Sequence, residues 1–199
     1  MQKRGFLVAL DEIPTSRDTV ARGLNPWQTV VACRCVNIGL FLSRGLRRSV
    51  MVILTQGASD ETRATVFDGK TLRRVSPDER SISFFLMKAN RLLMSIEDES
   101  KAMMDNGIVV CRTRLESILD EWASSGVYLA TEEAPCGTVP SSGTGLFVYD
   151  VLHLHRAVLS RTDTTPIWRP SSAERFILEV NHAADVVRPE ESFIIRDKG

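Results

Sequence analysis

The 199-residue sequence predicts an α/β fold, a largely parallel sheet with helices on both faces. Three observations carry this. Short apolar runs alternate with stretches of helical periodicity, most regularly in the second half, which is the pattern of strands joined by crossover helices. The run Val50-Met51-Val52-Ile53-Leu54 is apolar without a break, as a strand covered on both faces must be. Ser76-Pro77-Asp78-Glu79 reads as a helix start, with Ser76 capping, Pro77 in the first turn and Glu79 closing a capping box.

The elements follow in order. Gly5–Leu10 is a short buried strand, and Asp11–Asn25 is polar and irregular, a loop. Asn25-Pro26 opens a helix whose buried stripe is Trp27, Val31, Cys35, Ile38 and Leu42, with Arg34 off the stripe and an end near Gly45. After the strand at 50–54, Thr62–Phe67 and Lys70–Val75 flank Asp68-Gly69, a hairpin signal. The helix after Ser76 buries Ile82, Phe85, Leu86, Ala89, Leu93 and Ile96. Then come a strand at Gly107–Val110, a helix at Leu115–Ala123 and a strand at Val127–Ala130. A Pro/Ser/Gly-rich loop covers Thr131–Gly143, followed by a strand at Leu146–Tyr149 and a helix at Leu152–Ser160. A short strand at Ile167-Trp168 leads to a last helix, capped by Ser171 or Ser172, that carries Phe176, Ile177, Val180 and Val187. One domain is expected over 1–199, with Asp98–Asn106 the best place for a subdomain boundary.

Composition is that of an ordinary globular chain, 43% apolar and 25% charged. No apolar run reaches the length of a membrane span, and Phe6–Leu10 is too short for a secretory signal core. Four cysteines at 33, 35, 111 and 136 fit neither a disulfide framework nor a zinc ligand spacing, so a reduced, cytoplasmic setting is expected. A mitochondrial destination is left open by Arg4, Arg17 and Arg22, and opposed by Asp11, Glu12 and Asp18. The net charge is zero but unevenly spread: residues 1–95 carry 15 basic and 8 acidic side chains, residues 96–199 carry 10 and 17. Arginine supplies 20 of the 25 cations, and its planar fork suits phosphate. A basic, arginine-rich half points to an anionic partner.

Several residues stand out chemically. Arg44, Arg47 and Arg48 cluster before a core strand, where phosphate contacts are easily made. Asp78, Glu79 and Arg80 sit at a helix start, where free N–H groups favour anions and Asp78 has the chemistry of a proton acceptor. Capping alone accounts for the same residues. His153-Leu154-His155 with Asp150 and Asp163 nearby is weak as a metal site, and no metal is expected. No phosphate-loop, dinucleotide-binding or nucleophile-elbow motif occurs. Gly137, Gly143 and Gly145 shape a loop before a strand and leave room for a ligand near the backbone.

Taken together, Cys33-Arg34-Cys35-Val36, Phe41-Leu42-Ser43, Arg47-Arg48-Ser49-Val50 and above all Val75-Ser76-Pro77-Asp78-Glu79-Arg80-Ser81-Ile82 resemble the archaeal-type tRNA pseudouridine N1-methyltransferase family of the SPOUT, or trefoil-knot, superfamily. The resemblance continues through Gly107–Arg112 and Val127–Leu129 and covers roughly residues 1–130. It implies a homodimer with a C-terminal knot in the half spanning 107–190, binding S-adenosylmethionine and transferring its methyl group to N1 of a pseudouridine in tRNA. The basic half, 1–95, would then face the RNA. On this resemblance Arg34, Arg47, Arg48 and Arg80 hold RNA, and Asp78 accepts the N1 proton. Leu129, Phe147, Tyr149, Asp150 and Pro170 frame the cofactor, mostly through backbone.

The last third departs from the family pattern. Tyr149-Asp150-Val151 stands where the family carries a Gly-Asp-His turn, and a tyrosine there obstructs close approach of a cofactor to the backbone. Arg169-Pro170-Ser171 is a shortened relic of the last cofactor loop. An alternative to the active enzyme is therefore a catalytically silent relative that binds structured RNA or a ribonucleoprotein. A third reading is a protein-interaction domain without RNA.

Overall fold

The structure is a computed structural model that describes residues 3–138, 140, 143–161 and 163–187. Residues 188–199, and the side chain of Val187 assigned above to the last helix's stripe, lie outside the described residues.

Strand β1 (Arg4–Ala9) is the centre of an eight-stranded sheet. It alternates strictly: Phe6, Val8 and Leu10 enter one core layer, Leu7 and Ala9 the other. Coverage on both faces is why the run is apolar throughout, each buried large side chain contributing roughly 2 kcal/mol. β1 pairs in parallel with β4 (Val50–Gln56) on one side and β9 (Gly145–Asp150) on the other. Beyond β9 lie β8 (Val127–Thr131) and the edge strand β10 (Thr164–Trp168), both parallel. Beyond β4 the sheet turns antiparallel through β5 (Thr62–Asp68), β7 (Val109–Thr113) and the edge strand β6 (Ser100–Met103). Four of the seven pairings are parallel, as the α/β expectation required. β10 carries Pro166, which lacks an N–H and is tolerated because only β8 flanks the strand.

Helices cover both faces. On one, α2 (Trp27–Leu40) packs against β1 and β4, flanked by α3 (Glu79–Leu93) and α6 (Ala173–Val187). On the other, α4 (Leu115–Asp120), Trp122 and α5 (Arg156–Leu159) cover Leu7, Ile53, Leu146 and Val148.

Several expected elements differ. The hairpin at Asp68-Gly69 does not form. β5 pairs with β4 through the turn at 57–61, and Asp68 instead ends the strand, its Oδ1 accepting from the Lys70 N–H at 2.9 Å. Residues 98–106, expected as a boundary, contain β6. The expected loop 11–25 holds α1 (Arg17–Arg22), started by a reciprocal Ser16–Thr19 capping box. Helix α2 stops at Leu40, before the small hairpin of β2 (Phe41–Leu42) and β3 (Gly45–Leu46). Its buried residues include Ala32, Cys33, Val36 and Gly39, because three neighbours cover it, while Trp27 and Leu42 are half exposed. The expected helix at 152–160 is only the single turn of α5. At α3 the cap is Asp78, whose Oδ1 accepts from the Ser81 N–H at 2.8 Å; Ser76 instead donates its N–H to Ser81 Oγ.

Candidate functional site

In an open parallel sheet, ligands bind outside the carboxyl ends of the strands, where the chain changes direction of winding. Here that edge is where β8, β9 and β10 release the chain next to α6. Asp150, the last residue of β9, is buried at 4% exposure. Its Oδ2 accepts from the His155 N–H at 2.8 Å, which folds residues 151–155 back over the strand end. Its Oδ1 is buried and has no hydrogen-bond partner among the described residues. On the neighbouring strand, two residues beyond the paired Leu129 and Val148, the Thr131 Oγ1 is buried too and faces the Glu133 carboxylate. Glu174, in the first turn of α6 just after β10, leaves its Oε2 buried and unpartnered as well. A buried acceptor without a partner costs free energy, so the end of β9 suits a polar or cationic ligand.

The end of β9 also holds a cation of the chain's own. The Arg169 guanidinium lies 4.0 Å from the centre of the Tyr149 ring, and its Nη2 donates to the Asp150 carbonyl at 2.7 Å. Tyr149 does not stand over the strand end as the sequence suggested. Its ring turns into the core against Phe176, and its hydroxyl donates to the Pro170 carbonyl at 2.8 Å. Burial pushes its phenol above the ordinary value, with Arg169 pulling the other way. Tyr149 thus ties the segment after β10 to β9, and Arg169 is the side chain that occupies the strand end.

The other cofactor candidates are packed inside. Phe147 is fully buried, stacked on Tyr128 at 5.0 Å and near Phe6 at 5.8 Å, so its side chain serves the core. Leu129 faces the opposite core layer at 8% exposure. Gly143 and Gly145 make room for their own chain rather than for a ligand. At φ 60 and φ 120, a Cβ would stand 2.6 Å from Ala184 Cβ and 2.7 Å from the Gly126 carbonyl. His153 is exposed and His155 buried, and among the described residues no group of three or more metal-ligating side chains converges.

The arginines fall in different places. Arg34 is exposed on α2 and lies 3.6 Å from Glu174. Arg80 is exposed in the first turn of α3. Arg48 is exposed at the amino edge of the sheet, its Nη1 donating to the Gly69 carbonyl at 2.9 Å, beside exposed Arg44, Arg73 and Arg74. Arg47 is 17% exposed and spent internally: its Nη2 meets Asp185 at 3.0 Å and its Nη1 the Ile38 carbonyl at 3.4 Å. Arg4 joins the same cluster, donating to Gly143 O at 3.0 Å and to Asn181, whose amide reaches the Ile38 and Gly39 carbonyls. Periodicity gave no sign of this tie, since Arg4 and Arg47 are far in sequence from Asn181 and Asp185.

Asp78 is not brought to Asp150. The start of α3 packs on one flank of α2, where Cys33 Sγ donates to the Glu79 carbonyl and Asn37 to the Pro77 carbonyl. Glu174 and Asn181 of α6 engage the other flank.

An α/β sheet with a buried carboxylate and an arginine at its carboxyl edge, in a chain whose first half is basic, suits a nucleotide or nucleic-acid ligand. Residues 3–135 match a family model described as "Putative SAM-dependent RNA methyltransferase". Among curated proteins, the tRNA (pseudouridine(54)-N(1))-methyltransferase of Haloferax volcanii is 34% identical over 65% of this chain and 65% of its own length. That of Natronomonas pharaonis is 32% identical over 75% of this chain and 76% of its own, and that of Methanococcus aeolicus 37% identical over 48% and 46%. Among solved structures, Archaeoglobus fulgidus Nep1 bound to S-adenosylhomocysteine shares the fold, with a TM-score of 0.55 at 12% identity, over 95% of this chain and all of that one. The chain belongs to the family of SAM-dependent RNA methyltransferases that the model describes. The matched part spans between about half and three quarters of these relatives' lengths.

Proposed function

We propose that the protein methylates N1 of a pseudouridine in tRNA, using S-adenosylmethionine, as a homodimer acting in the cytoplasm. The observation that carries the reading is the buried, unpartnered Asp150 Oδ1 at the end of β9, in a chain of this family. This residue fits the cofactor: its carboxylate suits the cationic centre or the ribose hydroxyls. Pro170 and the 151–155 segment would wall the site through backbone. No described helix is long and apolar enough to cross a membrane.

When bound, S-adenosylmethionine supplies an electrophilic methyl group on a sulfonium. In the reaction the sulfur–carbon bond breaks, the N1–carbon bond forms, and the N1 proton leaves to a base. The protein's contribution is to hold both reactants in line and to receive that proton. Asp78 is the proposed acceptor; because N1 must meet the methyl group and the base together, and Asp78 lies across α2 from Asp150 within one copy, the second copy of the homodimer would have to supply it. Arg34, Arg48 and Arg80, all exposed, would hold phosphates. Arg47 instead holds α6 and so shapes the site from behind. A trefoil knot formed by the segments around β9, β10 and α6 belongs to the same proposal.

One observation favours a second reading. Arg169, stacked on Tyr149 and bonded to the Asp150 carbonyl, places a cation where the ligand's own charge is expected. A silent RNA-binding relative would keep it there. Calorimetric titration with S-adenosylmethionine separates the two. Micromolar affinity, about −8 kcal/mol, together with methyl transfer to tRNA containing pseudouridine, supports the enzyme. No binding at millimolar cofactor, with tRNA still bound, supports the silent relative.

A further inference from the structure

Helix α3 buries Ile82, Leu86, Ala89 and Leu93. At 100° per residue, positions 80, 84, 88 and 91 fall together on the opposite side. They are Arg80, Phe84, Lys88 and Arg91, all exposed. From Arg80 to Ile96 the sequence contains no acidic residue, and among the described residues none of these three cations makes an ion pair. A helix face that serves only solubility mixes both signs; this one has cations alone, with an aromatic ring between them. Phe84 is 39% exposed, yet held in place. Phe85 meets it edge-on, with centroids 5.3 Å apart at 74°, and the Lys88 ammonium lies 4.6 Å from its centre.

We propose that this face of α3 is a platform for unpaired RNA, on which a base stacks against Phe84 while Arg80, Lys88 and Arg91 take the adjacent phosphates. Charge complementarity selects a polyanion. The ring selects a single-stranded or loop region, because stacking on an aromatic side chain needs a base free of its helix, whereas duplex RNA is read by shape and phosphate. The inference rests on the proposal that the substrate is tRNA, and it names the surface that receives an unpaired segment of it.

The test is binding of the full-length chain to a tRNA transcript and to a blunt RNA duplex of equal length, by fluorescence anisotropy across a salt series. Wild type is compared with Phe84→Ser and with the double variant Lys88→Gln/Arg91→Gln, and cofactor binding is followed by calorimetry. The double variant is expected to flatten the salt dependence for tRNA, by a slope of about 1.5 for two lost phosphate contacts. Phe84→Ser is expected to weaken tRNA binding about tenfold at unchanged slope, with little effect on the duplex. Both should bind S-adenosylmethionine as wild type does. If wild type binds tRNA and both variants stay within twofold of it, the platform is overturned and the proposed activity stands. Equal losses on duplex and tRNA also overturn it. So does conversion of a dimer to a monomer by Phe84→Ser, since the face would then meet a second copy. Wild type that fails to bind tRNA at all overturns both proposals.

Discussion

Single residues of this chain repeatedly carry a role other than the one their neighbours in sequence suggest. Cys33 and Cys35 are close enough to invite a reactive or ligating role, but both are buried thiols. Burial pushes Cys33 up to about 12, with Glu79 and Asp78 adding to the effect, and pushes Cys35 well above its ordinary range. Exposed Cys136 should therefore react with a thiol reagent at pH 8, while Cys33 and Cys35 react only on unfolding; fast labelling of all four in the native protein would contradict the burial. The sign for stability follows. A thiol raised in the fold holds its proton below pH 9 in both states, so its contribution is intact there, and it is lost as pH rises from about 9 toward 12. Replacing Cys33 with Ala should flatten that alkaline decline in denaturant titrations. Asp78 is a second case, since it caps α3 and is also the proposed base. Asn caps as well as Asp but cannot take a proton, so Asp78→Asn should keep the melting temperature and lose methyl transfer, whereas Asp78→Ala should cost about 1 kcal/mol of stability besides. Equal turnover in wild type and Asp78→Asn would remove Asp78 from the chemistry.

Elements were legible where one period dominates. β1, β4 and the inner face of α3 follow from apolar runs and the 3.6-residue stripe, since each buries its residues on a regular geometry. The Asp68-Gly69 hairpin was misread because a local turn signal competes with a tertiary pairing. β5 already has β4 and β7 as partners, and nothing remains for 70–75 to gain by pairing. α2 was misread differently. Covered by the sheet, α3 and α6, it has no single stripe, so a rule built for half-buried helices placed Trp27 and Leu42 inside. The candidate site was legible only in part. Asp150 and Pro170 do lie at the strand ends. Thr131 and Glu174 gave no signal, because what marks them is a buried oxygen; Arg169, read only as part of a shortened loop, takes its place from a ring and a carbonyl that it meets only in three dimensions.

For the whole molecule, the notable division is between the two ends of the sheet. The carboxyl edge holds Asp150 and Arg169, and the amino edge holds Arg48 together with the tie of Arg4, Arg47, Asn181 and Asp185 that anchors α6. Arg47 and Arg48, adjacent in sequence, should therefore fail in different ways. Arg47→Ala removes a partly buried ion pair and a hydrogen bond, and is expected to cost about 1–3 kcal/mol, or several degrees in melting temperature, with α6 loosened. Arg48→Ala should leave the melting temperature within a degree or so and weaken tRNA binding with a shallower salt slope. Matching effects from the two would mean that Arg47 contacts RNA directly.

The proline in β10 bears on a different hazard. A sheet of eight strands has two open rims, and each is a template on which another chain can polymerise by adding a strand. At one rim Pro166 removes a donor from a five-residue strand, and at the other β6 is only four residues long and carries Lys101. The borders of the sheet thus oppose growth into fibrillar aggregates. Pro166→Val should leave the fold intact and raise light scattering on prolonged incubation at high concentration. Unchanged scattering would mean that β10 is already shielded by the chain around it.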